Sequence, residues 1–475
     1  MKFFRLSPLF VTIFFLLSPQ LHAKIRLPYF FSDGMVLQRE STPAIWGWTD
    51  SKKNVTITTS WNKKIYTVKP DANGKWKTFI QTTNAGGPYA ITVNDGTPFV
   101  IKNVLLGEVW MCSGQSNMEM PMKGYKDQPI ESSNDYIFNS DNNNIRLYTI
   151  PRSVQSVALD TSKNSTWKTA APQDVSNFSA TAYFFGLQLY NKLKVPIGLI
   201  NVSYGGSPVE AFMDIKTLEK YNAKIPEANT KEKLSNKIPT VLYNGMIHPF
   251  IGYGIKGAIW YQGETNAGQP AQYESLFPDF VSMLRKQFGY GEFPFYYVQI
   301  APWDYNMYKK PGDARMNSAF LRDAQRKSLD KIPNSGMVVT MDIGDSIYIH
   351  PRNKKTVGKR LAYLALNNTY GFTGFQSQSP LYESVTFKND TAIIRFTNAP
   401  NGLTSYGQPL VQFEIAGSDK VFYPANARTV NGTVEVSSPS VKNPVAVRYA
   451  FKDWVKGDLY NSEGFPASSF RTDDW

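Results

Sequence analysis

The sequence predicts an α/β protein: a doubly wound parallel sheet of about five strands, flanked at both ends by β-sandwich segments. Three observations carry this expectation. Residues 24–103 show short alternating runs broken by Gly, Pro, Asn and Asp, the period-two pattern of half-buried strands. Residues 104–372 change to wholly apolar runs of strand length separated by helical patterns, which is how a parallel sheet covered on both faces reads. Residues 373–475 return to alternation, plainly from Val385 onward.

The chain opens on a leader. Lys2 and Arg5 precede an apolar run at residues 8–17, and Leu21-His22-Ala23 ends it with a small residue suited to signal-peptidase cleavage. A membrane span needs roughly 20 apolar residues, and this run is too short. Residues 1–23 are therefore read as a secretory signal. The mature chain is expected to be exported, periplasmic or extracellular, with no membrane insertion.

The amino-terminal strands are expected at residues 44–48, 55–59 and 89–93, with turns at Asp33-Gly34 and Asn73-Gly74. In the middle, strands are expected at 104–112, 197–203, 255–261, 295–300 and 337–341. Helical patterns fall at 180–193, 272–288, 314–329 and 354–366. The tail supplies strands at 392–396 and 445–449, and it is expected to pack with the amino-terminal sandwich.

Charge and cysteine content exclude several classes. The formal net charge is +13, and loss of Lys2 and Arg5 with the leader leaves +11. The basic residues are scattered as singles and pairs such as Lys52-Lys53 and Lys309-Lys310, whereas a nucleic-acid footprint is a stripe or cluster. No nucleic-acid partner is expected, and attraction to acidic glycans is the better reading. The single cysteine, Cys112, lies inside an apolar run, which excludes an intrachain disulfide framework and points to a buried structural thiol. Two mature histidines and one cysteine form no ligand cluster, so no metal and no cofactor are expected.

In an open parallel sheet, ligands sit beyond the carboxyl ends of the strands. The segments that follow the expected strands are Ser113-Gly114-Gln115-Ser116-Asn117, Tyr204-Gly205-Gly206-Ser207, Tyr261-Gln262-Gly263-Glu264 and Asp342-Ile343-Gly344-Asp345, the last shortly before His350. Together they supply the parts of an acyl-transfer site. Ser116, at a Gly-preceded strand-to-helix turn, can be exposed as a nucleophile, and its own N–H can face an oxyanion. A glycine after the second strand lets another N–H approach closely, and the Gln262 carboxamide offers a third donor, each worth roughly 3 kcal/mol of barrier. With His22 in the leader, only His248 and His350 remain as bases. His350 is favoured because it follows the last strand, on the edge where the other segments gather.

Gly114-Gln115-Ser116-Asn117, Gly205-Gly206-Ser207, Trp260-Tyr261-Gln262-Gly263-Glu264 and Ile349-His350-Pro351-Arg352-Asn353-Lys354 resemble the four blocks of the SGNH hydrolases, whose sheet is flavodoxin-like. More closely, they resemble the sialate O-acetylesterase branch with its acetylxylan-esterase-like members. The ending Leu459-Tyr460-Asn461-Ser462-Glu463-Gly464 and Asp473-Asp474-Trp475 is similar too. The resemblance implies Ser116 as nucleophile and Gly206 with Gln262 as oxyanion donors beside the Ser116 amide. It also implies an O-acetylated carbohydrate as substrate, with Asn117 and Gly205 as substrate-binding residues; Trp303-Asp304-Tyr305, after the fourth strand, is the candidate for a substrate wall by its place on the catalytic edge. In many SGNH relatives an acid stands three residues before the histidine; here that position is Ile347. Glu264, Asp345, Asp342 or a backbone carbonyl is left to orient His350, Glu264 first and Asp345 second. Against these roles, Ser116 read alone is an ordinary helix N-cap, and Asp345 an ordinary turn former.

Two alternatives of substrate or class stay open: an esterase of acetylated xylan or another plant glycan, and a protein of another kind. The latter is a glycosidase using paired carboxylates such as Glu264 and Asp345, or a non-catalytic glycan binder.

Overall fold

The computed structural model describes residues 25–475 except 229, 231, 308, 311, 313 and 314; the leader lies outside the described residues. Its centre is a sheet of seven strands. In chain order they are β1 (Pro98–Gly114), β2 (Asn142–Thr149), β3 (Lys168–Ala170), β4 (Ile197–Ser203), β5 (Gly257–Tyr261), β6 (Phe295–Val298) and β7 (Ser335–Val338). In space the order is β7-β6-β5-β1-β4-β2-β3. All neighbours are parallel except β3, which runs antiparallel to β2.

The five expected strands form β1 and β4 to β7, and two more were not anticipated. The strand β2 opens on Asn142-Asn143-Asn144 and carries Arg146, so its pattern is not apolar. Arg146 is tolerated there because its guanidinium donates to the Asn143 carbonyl and the Asn103 side chain. The sheet is accordingly mixed, not purely parallel.

Four long helices cover it: α1 (Ala180–Leu193), α2 (Pro270–Phe288), α3 (Ala319–Lys327) and α4 (Lys354–Leu364). On one face Phe184, Phe185 and Leu189 of α1 meet Val357 and Leu361 of α4. On the other, Phe277, Phe280 and Leu284 of α2 and Leu321 of α3 join a second apolar cluster. The chain leaves β1 to one side, toward β4, and later returns to its other side as β5. This reversal puts the end of β1 at the switch point, where loops diverge and leave room for a ligand.

At the amino end, Val55–Thr59, Ile65–Val68 and Gly86–Asn94 pair antiparallel in one sheet, and Ala44–Trp48 pairs with Lys75–Phe79 in another. Val55–Thr59 alternates buried and half-buried residues, as its sequence predicts. Strand β1 belongs to both regions. Its first half pairs with Gly86–Asn94 and its second half with β4 and β5, so it crosses residue 103 without a break.

The carboxyl-terminal strands form two four-stranded antiparallel sheets and one small ribbon. Their anchoring hydrogen bonds correct the expectation that the tail packs with the amino-terminal sandwich. They run instead to the α/β layer. Buried Arg322 of α3 donates to the Ser469 hydroxyl and the Lys452 carbonyl, Gln299 donates to Ser468, and Asp453 accepts from Tyr305 N–H and Ser318. A buried guanidinium needs several acceptors, and the tail provides them.

Candidate active site

Strand β1 ends at Gly114, whose φ is +142° and where a Cβ would lie 2.1 Å from the Tyr261 carbonyl oxygen. Only glycine lets the chain turn this sharply against β5. The turn delivers Ser116 to the first position of a one-turn helix, Ser116–Glu119. Ser116 is not the cap of that helix, a position taken by Gln115, so its hydroxyl is not committed to capping. Instead it lies 2.8 Å from Nε2 of His350. The two residues are 234 positions apart in the chain and meet at the switch point.

His350 is held at its other nitrogen by Gln128, whose Oε1 is 2.6 Å from Nδ1. An amide oxygen only accepts, so Nδ1 carries the proton and Nε2 presents its lone pair to Ser116. Burial, aided by the nearby Lys354 ammonium, pushes the His350 pKa down to about 4, so the ring is neutral and able to accept a proton near neutral pH. His248 donates from Nδ1 to the Leu159 carbonyl and packs on Tyr243, with no part in this cluster.

The expected orienting acids do not touch His350. Glu264 is buried and accepts from the Asn117 side chain. Asp345 accepts from Ile347 and Tyr348 N–H, closing its own loop as a turn former does. Asp342 is paired with Arg360 in a two-pronged bridge. The position facing Nδ1 belongs to Gln128, on a loop with no strand-end signal to mark it.

Three oxyanion donors were expected. Two N–H groups, those of Ser116 and Gly206, have no acceptor among the described residues. Gly206 has φ +72°, and a Cβ placed on its neighbour Gly205 would lie 3.2 Å from Cβ of Ser116, so this loop passes directly beside Ser116. Gln262 is a correction. It is fully buried, its Nε2 donates to the Ser207 carbonyl and Asn266 Oδ1, and its Oε1 accepts from Tyr273. With both donors spent, it braces the loop that carries Gly206 and offers nothing to a substrate.

Asn117 is also corrected from substrate-binding to internal. It is 1% exposed. Its Nδ2 donates to Glu264 and to the Ile349 carbonyl at 3.1 Å, and its Oδ1 accepts from Lys354 Nζ. Lys354, at the start of α4, is fully buried; loss of hydration pushes its pKa down to about 7, although Glu264 acts to raise it. Glu264 in turn is pushed up by burial, and its Oε2 has no hydrogen-bond partner among the described residues. The amide thus bridges the buried Lys354 amine and the buried Glu264 carboxyl group, and fixes the residue before His350 to the residue after Ser116.

Gly205 is spoken for as well: its N–H donates to Oε2 of Glu119 at 2.8 Å. Trp303, half-buried on the loop after β6, donates from Nε1 to the Ile347 carbonyl and meets Tyr305 edge to face. It ties down the loop that carries His350, next to the exposed side chains of Ile347 and Tyr348. Sequence reasoning missed Gln128, Lys354 and the Glu119–Arg152 pair. Lys354 stood in a quoted block without a role, and Arg152 follows the unanticipated β2, whose end would have marked it.

Three comparisons set this geometry beside other proteins. The family described as carbohydrate esterase, sialic acid-specific acetylesterase, matches residues 106–367. The sialate O-acetylesterase of Pongo abelii is 29% identical over 94% of this chain and 92% of its own length, and that of Mus musculus is 28% identical over 90% of each. A crystal structure of a novel carbohydrate acetylesterase from Xanthomonas citri superposes with a TM-score of 0.86 at 34% identity, over 95% of this chain and all of that one.

Proposed function

The chain belongs to the carbohydrate esterase family of sialic acid-specific acetylesterases, and from that membership we propose that it removes acetyl groups from sugar hydroxyls, O-acetylated sialic acids first, through an acyl-enzyme on Ser116. The observation that carries this reading is the 2.8 Å contact between Ser116 Oγ and His350 Nε2. In the proposed mechanism His350 takes the Ser116 proton as the hydroxyl attacks the acetyl carbonyl, and the Ser116 and Gly206 N–H groups receive the oxyanion. The imidazolium then gives its proton to the departing sugar oxygen. Water, deprotonated by His350, attacks the acetyl-serine, and the imidazolium returns that proton to Ser116 Oγ as acetate is released. Trp303, Ile347 and Tyr348 form the wall against which the sugar rests.

The same reading assigns the α/β layer to the SGNH hydrolases, with Ser116 and His350 as a pair oriented by an amide in place of a carboxylate. A neutral amide fixes the tautomer but gives the forming imidazolium less support than a carboxylate gives. Residues 1–23 are assigned to export, which amino-terminal sequencing of the secreted protein tests: the mature chain should begin at Lys24.

Ser116→Ala should abolish acetate release from 4-nitrophenyl acetate and from O-acetylated sialic acid while leaving Tm unchanged. Activity equal to the wild type would overturn the assignment. A second reading, an esterase of neutral acetylated glycans, is supported by the Xanthomonas citri structure, described only as a carbohydrate acetylesterase. Acetate release from acetylated mucin and acetylated xylan separates the two. The glycosidase reading fails on geometry, because Glu264 is buried under the Ser116 turn and Asp345 closes its own loop.

A further inference from the structure

Beside Ser116 the chain builds a fixed, outward-facing cation that the reaction described above does not use. Arg152 follows β2, and its Nε and Nη2 donate to the two carboxylate oxygens of Glu119 at 2.6 and 2.7 Å. Its guanidinium lies over the Tyr204 ring, 4.5 Å from the ring centre. The same Glu119 oxygen that receives Nη2 also receives the Gly205 N–H. A Cβ on Gly205 would stand 3.0 Å from that oxygen and 3.2 Å from Cβ of Ser116. One short residue therefore separates the nucleophile from the carboxylate that grips Arg152.

The charge at this shoulder is positive. Lys163, an exposed residue, donates from Nζ to the Arg152 backbone carbonyl at 3.1 Å. Two cations thus stand against one carboxylate, whose oxygens already accept from Arg152 and Gly205. The Arg152 side chain is 55% exposed, and its Nη1 has no acceptor among the described residues. An arginine held on one edge by a carboxylate and on one face by a ring has lost its rotamer freedom already, so a second carboxylate meets a pre-organised fork. Guanidinium and carboxylate pair with two parallel hydrogen bonds, which a neutral sugar cannot offer.

We propose that Arg152, with Lys163 beside it, binds a carboxylate of the acetylated substrate, so that the enzyme selects acetyl esters of acidic sugars over those of neutral glycans. This rests on the esterase reading of Ser116 and His350 and adds the group that reads substrate charge. The pair also gives the binding a salt dependence, since both cations face water.

The test uses the full mature chain and three esters: 9-O-acetyl-N-acetylneuraminic acid, the same sugar with its C1 carboxylate converted to an amide, and 4-nitrophenyl acetate. The wild type should favour the acid over the amide at least tenfold in kcat/KM. Arg152→Met should bring that ratio close to one, and Lys163→Met should lower it severalfold. Equal rates on acid and amide in the wild type overturn the inference while leaving the esterase reading intact. So does an unchanged ratio in both variants. If Arg152→Met lowers all three esters by one common factor and Lys163→Met changes nothing, Arg152 only braces Glu119 and the inference falls. Absence of acetate release from every ester is the separate failure of the esterase reading.

Discussion

Two rows of side chains cross the catalytic edge of the sheet, one residue apart, and they are built on opposite principles. The upper row is Ser116, His350 and Gln128: half-buried, uncharged, and joined by one hydrogen bond at each end of the imidazole. The lower row is Asn117, Glu264 and Lys354: buried, with an ionisable group on either side of a neutral amide, and with Asn117 also gripping the Ile349 carbonyl. Both rows link the turn after β1 to the segment that carries His350, and the lower one adds the end of β5. The difference teaches a division of labour. The groups that exchange a proton in the proposed mechanism are left with few partners, while the groups one position along the chain carry the bonds that hold them there.

The contrast makes ranked predictions. The largest effect is expected in the upper row: His350→Ala should lower kcat by about 10³-fold or more with little change in Tm, because it removes the base and breaks no buried network. Assays with 4-nitrophenyl acetate and a thermal melt check both halves. In the lower row Asn117→Ala should lower kcat by about 10²-fold and also lower stability by roughly 2 kcal/mol, since two buried charges lose their bridge. A variant that loses activity at full stability would erase the distinction between the rows.

Next comes pH. Only neutral His350 accepts the serine proton, so activity is lost as pH falls through its pKa, and the acid limb of kcat/KM should lie near 4 instead of near 6.5. Lys354→Met removes the second cause of that depression, and the acid limb should move upward. Gln128→Glu should move it the same way by placing an anion at Nδ1. A limb that stays put in both variants would mean that His350 does not feel its neighbours' charge. Gln128→Ala, which frees the tautomer without touching the base, should cost about tenfold in kcat. The smallest effect is expected at Asp345→Asn, which keeps the oxygen that accepts from Ile347 and Tyr348; activity should stay within about twofold of wild type.

Much of the fold was legible because it is written in local periodicity. The five mainly apolar strands and the helix at Ala180–Leu193 follow from burial on two faces or one, a property each segment shows by itself. The strand β2 was not legible because Arg146 breaks its pattern, and the Asn143 and Gly34 carbonyls with the Asn103 side chain make that charge tolerable. The packing of the tail was equally hidden: Arg322 reads as a surface residue of an amphipathic helix until the acceptors at Ser469 and Lys452 are in place.

At the site, the meeting of Ser116, the Gly205-Gly206 loop and His350 could be read from the chain, since an open parallel sheet must bring its strand ends to one edge, and few histidines were available there. Tertiary structure alone decided who holds them. Gln128 orients His350 where Glu264, Asp345, Asp342 or a backbone carbonyl was expected, Gln262 turns inward to brace a loop, and Asn117 spans a buried carboxyl group and a buried amine. A strand end can be located from a residue's own neighbours in sequence. A hydrogen-bond partner cannot, because an amide's two hydrogens go to whichever acceptors the finished fold leaves without water.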